Sequence, residues 1–107
     1  MKLAELDPTF LIREDDKSFR MTDDIGKADG VEFLCPVCFK ANGGSVGTHA
    51  IICWAPHVPQ TTSPTPGRWN LVGTGYHDLS LVAGSSSVLL HTAPCAAHFF
   101  VTDGEIR

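Results

Sequence analysis

Long apolar runs, basic clusters and hydrolase signatures are all missing from this chain of 107 residues. No apolar stretch approaches the roughly 20 residues that a helix needs to cross a bilayer. The opening "MKLAELDPTF" also lacks the continuous apolar core of a secretory signal. These two absences predict a soluble, cytoplasmic protein with no membrane partner. The eight Lys and Arg are scattered against twelve Asp and Glu, for a net charge of -4, and acids cluster in "REDDKSFRMTDD" (13–24). Phosphate-directed binding requires a basic face, so the charge argues against a nucleic-acid partner. No Gly-x-Ser-x-Gly elbow frames Ser85, Ser86 or Ser87, which read as a polar turn. No HExxH or His-x-Glu accompanies the cysteines, so a metal-dependent hydrolase would lack its general base.

What is present describes a folded globule. With 43% hydrophobic and 19% charged residues, the composition is that of a single domain over 1–107. Its core must be small, so a crosslink or metal would help it appreciably. Ten glycines and seven prolines punctuate short apolar segments. "TFLIRE" (9–14), "SFRM" (18–21), "VEFLC" (31–35), "RWNLVG" (68–73), "LSLV" (79–82), "SVLLH" (87–91) and "HFFVT" (98–102) read as strands. "THAIICWA" (48–55), β-branched and aromatic, is the expected central strand. "DDIGKADG" (23–30) reads as one helical turn, capped by Asp and stopped by Gly30. "ANGG" (41–44) is a turn, and "DGE" (103–105) a hairpin turn. "PHVPQTTSPTPG" (56–67) should be an extended surface loop. The fold class expected is mainly β: a small antiparallel domain, sandwich-like or zinc-ribbon-like.

Four cysteines in a reducing compartment point to thiols or metal ligands rather than disulfides. Cys35 and Cys38 stand in "CPVC", and Cys95 and His98 in "CAAH". Each pair has the spacing of a knuckle that aims two side chains at one ion. Together they make a Cys3His set for Zn2+, a closed tetrahedral site that would close a long loop. A redox pair would be expected in a βαβ pattern, which the sequence lacks. His49 and Cys53 lie four apart on the strand 48–55 and share a face. Cys53, between Ile52 and Trp54, reads as core. His49 can reach the first knuckle as an alternative ligand or as a donor behind the ligands, and ranks behind His98. On this reading His98→Ala loses zinc and His49→Ala keeps it.

The motifs "FLCPVCFKANGG", "PGRWNLVGTGYHDLSL", "SSSVLL" and "CAAHFFVTDGEI" resemble a family of small proteins of tailed phages and prophages, a domain of unknown function. The likeness covers roughly 28–107 and leaves 1–27 as an unmatched N-terminal segment of the same domain. It implies Cys35, Cys38, Cys95 and His98 as the metal set, and Trp69, Gly73, Asp78, Leu79 and Ser87 as signature positions. Physically, Gly73, Gly75 and Gly104 read as turn residues with unusual φ, and Trp69 as a core plug. Asp78 would bond a turn backbone or orient His77. The resemblance implies an accessory protein of a bacterial host's phage that binds a host or phage protein. The Pro-rich loop and Tyr76 are the expected contact surfaces. A nucleic-acid-binding zinc ribbon and a metal-dependent hydrolase are the alternatives.

Overall fold

Alternation of apolar and polar residues places one face of each early strand in a core, and the computed structural model shows how these faces combine. It describes residues 1–83, the backbone of 87–89, and 98–107. Four strands, β1 (Thr9–Asp15), β2 (Ser18–Thr22), β3 (Gly30–Leu34) and β4 (Ala50–Trp54), form an antiparallel sheet ordered β2-β1-β3-β4. A two-stranded ribbon of β5 (Asn70–Val72) and β6 (Ser80–Val82) follows. The last sheet is β7-β8-β9, with β7 at Ser87–Leu89, β8 at His98–Thr102 and β9 at Glu105–Ile106. The architecture is mainly β and antiparallel, as the sequence implies.

Register decides which side chains meet. Phe10 lies opposite Val31, Val31 opposite Cys53, and Phe33 opposite Ile51. This face joins Leu3, Leu6, Leu79, Leu81, Phe99 and Val101 in the main core. The opposite face carries Leu11 and Trp54, which pack with Val58 in a second, smaller core. Leu11 pairs with Gly30 and Gly30 with Trp54. A side chain at Gly30 would meet the Trp54 ring and the Cys53 carbonyl, so Gly30 opens β3 rather than stopping a helix. The short 3-10 turn Ile25–Lys27 ends before it, capped by Asp24, whose carboxylate accepts from the Gly26 N–H.

Residues 1–27 are woven into this core. Leu3 and Leu6 are fully buried, the Leu3 N–H donates to the Gly104 carbonyl, and the Ile106 N–H donates to the Met1 carbonyl. β8 and β9 are joined by Asp103 and Gly104 at φ 49 and 73. Two positive φ values in a two-residue loop make a type I′ turn. A Cβ at Gly104 would overlap the His77 carbonyl, so only glycine fits. Gly73 also has positive φ, at 139, whereas Gly75 does not, contrary to the grouping expected from sequence. Gly75 instead offers its N–H to Asp78.

Three other expectations change. The residues Pro36–Asn42 form a helix, α1, which takes in the first half of "ANGG". β4 is the last strand in its sheet order rather than a central one. The Pro-rich loop is not extended: it folds around the Arg68 side chain, which donates to the carbonyls of Val58, Pro59, Thr62, Pro64 and Gly67.

Tyr76 is likewise no free contact surface. Its ring stacks on Phe10 at 4.3 Å, and its hydroxyl accepts from the Phe10 N–H at 3.0 Å. Tyr76→Phe keeps the stacking and leaves that N–H without an acceptor. The expected cost is about 1–2 kcal/mol, read as a lower denaturation midpoint in urea at unchanged slope. A midpoint equal to wild type would mean that water replaces the phenol.

Candidate metal centre

Cys35 is the first residue past β3 and the N-cap of α1. Pro36 follows at the first helical position, where its fixed φ suits the helix and its missing N–H costs nothing. The first helical bond runs from the Phe39 N–H to the Cys35 carbonyl at 2.9 Å. That turn puts Cys38 one turn on, back beside Cys35. The helix ends at Gly43 in the left-handed region, φ 70, with the Gly44 N–H closing on the Phe39 carbonyl at 3.0 Å.

The return loop is held by its own polar groups. The Thr48 hydroxyl donates to the Gly44 carbonyl at 2.7 Å and accepts from the Asn42 amide at 3.1 Å. The Cys35 N–H then donates to the His49 carbonyl at 2.9 Å, extending the β3–β4 ladder beyond the Leu34–Ala50 pair. Cys35 and His49 are therefore cross-strand partners, whose side chains stand on the same face.

The donor atoms of Cys35, Cys38 and His49 all lie within 4.8 Å of one another. A tetrahedral zinc, with Zn–S about 2.3 Å and Zn–N about 2.0 Å, sets neighbouring donors about 3.5–3.8 Å apart. The observed limit is of that order, and two thiolates with an imidazole suit a soft or borderline divalent ion. Burial is graded across the group: Cys35 lies inside, Cys38 is half-buried and His49 is the most exposed of the three.

Among the described residues, this is the Cys/His group that the fold brings together, and His98 is not in it. Phe99 points into the core, 4% exposed, with its ring 6.0 Å from that of Phe33. Alternation then turns His98 to the outer face, where it is exposed beside Phe100 at 6.2 Å. Cys95 lies outside the described residues, as do Ser85, Ser86 and His91. Cys53 is fully buried opposite Val31, and burial pushes its thiol far above the ordinary range. It is a core residue.

The remaining candidates are committed to structure. The Asp78 carboxylate accepts from the Thr74 N–H, the Thr74 hydroxyl and the Gly75 N–H. These bonds, the Thr74 N–H foremost, hold its pKa at about 2. Asp78 therefore shapes a turn. His57 pairs with Asp29 at 2.7 Å, and Gln60 donates to the Pro66 carbonyl. Trp69 is half-buried against the main core and Leu79 is fully buried within it. No helix among the described residues is long and apolar enough to cross a membrane. Comparison with family models, curated proteins and solved structures finds no match.

Proposed function

We propose that this chain is a zinc-stapled β module that works by binding another protein. The observation that carries the metal half is the convergence of Cys35, Cys38 and His49 at the β3–α1 corner. Cys95 stays our candidate for the fourth ligand, and His49 takes the place of His98. Cys95 precedes Phe99 by four residues, a span of at most about 14 Å of chain, and the Phe99 ring meets Phe33, two residues before Cys35. Three thiolates and one imidazole would make a closed, structural site with no open position for chemistry.

The binding half rests on elimination by use. Asp78 and His57, two polar residues a hydrolase could use, are held in structural contacts, and the net charge of -4 opposes nucleic acid. The motif likeness to tailed-phage and prophage proteins supports an accessory role toward a host or phage protein.

Elemental analysis of protein purified without added metal tests the first half, and about one zinc per chain is expected. A folded, metal-free chain, or iron in place of zinc, would overturn it. The same sample, titrated with mixed-sequence DNA and RNA in low salt, should show no salt-sensitive binding. Retention that weakens steeply with salt would replace the protein-binding reading with a nucleic-acid one.

A further inference from the structure

We propose that the Cys35–Cys38 pair is a peroxide-responsive switch that ejects the metal. This rests on the metal reading above and adds what controls occupancy. The two Sγ atoms lie within 4.8 Å of each other, and solvent reaches them unequally: Cys38 is half-buried whereas Cys35 is buried. A small oxidant therefore meets Cys38 first, with a second thiolate waiting behind it. Cys53 provides the internal contrast, since a thiol fully buried in the core is out of reach of the same oxidant.

The chemistry needs one peroxide. The Cys38 thiolate attacks a peroxide oxygen; the S–O bond forms as the O–O bond breaks, and the departing hydroxide takes a proton to become water. Cys38 is then a sulfenic acid. The Cys35 thiolate attacks the Cys38 sulfur, the S–S bond forms as the S–O bond breaks, and the second hydroxide takes a proton. Two thiolates, one peroxide and two protons give one disulfide and two waters. Two electrons pass from sulfur to oxygen, and zinc departs as Zn2+ because thiolates, not disulfides, are its ligands.

The switch changes what is tied to what. The metal joins the β3–α1 corner to His49 across the whole return loop, whereas the disulfide closes only the short ring between Cys35 and Cys38. Crosslinks restrain more the longer the loop they close, with a logarithmic dependence, so the disulfide adds no tie between β3 and β4. Oxidation therefore leaves the His49 end of the sheet to its backbone bonds.

The test uses the zinc-loaded full chain treated with a few equivalents of hydrogen peroxide. Expected are release of the bound zinc to a chromogenic chelator, loss of two hydrogens by intact mass, and a Cys35–Cys38 disulfide in the peptide map. Tm should fall on the order of 10 °C and recover with a thiol reductant plus zinc, and Cys53→Ser should respond as wild type does. Zinc held while exposed Met21 oxidises would sink the switch and leave the metal reading standing. So would release with a sulfonic acid at Cys38, or with a disulfide to Cys95. A chain that takes up no zinc at all overturns the metal reading and the switch together.

Discussion

On the proposed zinc-staple reading, replacing His49 by Ala should empty the site, with zinc falling from the expected one or so per chain to below about a tenth after dialysis. His98→Ala should leave zinc content unchanged. The asymmetry follows from geometry. His49 is the cross-strand partner of Cys35, held by the Cys35 N–H to His49 carbonyl bond, whereas His98 lies on the outer face of β8, opposite the side Phe99 buries. Loss of one ligand from a structural site of this kind removes folding free energy along with the ion. A loss of about 2–3 kcal/mol lowers Tm on the order of 10–20 °C in a domain of this size. His49→Cys separates ligation from packing, because a thiolate at the same position can still bind zinc while an imidazole-shaped space is lost. Retained zinc in His49→Cys with lost zinc in His49→Ala identifies the residue as a ligand. The reverse pattern, zinc lost in His98→Ala and kept in His49→Ala, would return the site to β8.

The neighbours of Cys35 and Cys38 show where sequence reading stops. The closeness of the two cysteines was legible, because "CPVC" carries its spacing and its helix-starting proline within four residues. The approach of His49 to them was not. The likeness of "CAAH" to a second knuckle points to His98, whereas His49 is brought beside Cys35 by the register Leu34–Ala50, a long-range fact with no local signature. The strands β1, β3 and β8 were legible because alternation reports burial directly, and "DG" marked the β8–β9 hairpin for the steric reason that Gly104 shows. The helix α1 escaped because seven residues are too few to display a 3.6 period. Its end signals, Pro36 at the start and Gly43 past the end, were nonetheless present. β4 misled differently. Its β-branched, aromatic composition implies burial, and Ile51, Cys53 and Trp54 are buried, but burial on both faces does not require a neighbour on both edges. Least legible was Arg68, which reads as the polar lead-in to a strand.

Arg68→Met should cost about 2–4 kcal/mol and unsettle the Pro-rich loop without touching the metal. All five guanidinium N–H groups have acceptors: Nε donates to the Val58 carbonyl, Nη1 to those of Pro64 and Gly67, and Nη2 to those of Pro59 and Thr62. Burial pulls the Arg68 pKa down, yet guanidinium remains charged at neutral pH, so the loop is gathered around a cation with backbone carbonyls as its acceptors. Hydrogen bonds to a charged donor contribute about 1.5–3 kcal/mol each when nothing replaces them. Exposed carbonyls recover water in the variant, which holds the total to about 2–4 kcal/mol and the fall in Tm to on the order of 10–20 °C. The damage should spread along the loop's own contacts. Thr62, 2% exposed, accepts from Arg13 and donates to Asp16, and the Trp54 indole donates to the Ser63 carbonyl at 2.9 Å. Trp54 fluorescence should therefore shift to the red, and the Thr62 amide, bonded to Pro59 at 3.0 Å, should exchange faster. Zinc content should stay at the wild-type level, since Trp54 ends β4 whereas His49 precedes its first residue. Arg68→Lys should recover only part of the loss, because an ammonium has three donors and no planar fork to span five carbonyls. A Met variant with wild-type Tm and a protected Thr62 amide would show that the loop holds its shape by packing alone. An unsettled loop with zinc also lost would show that the two ends of β4 are one cooperative unit.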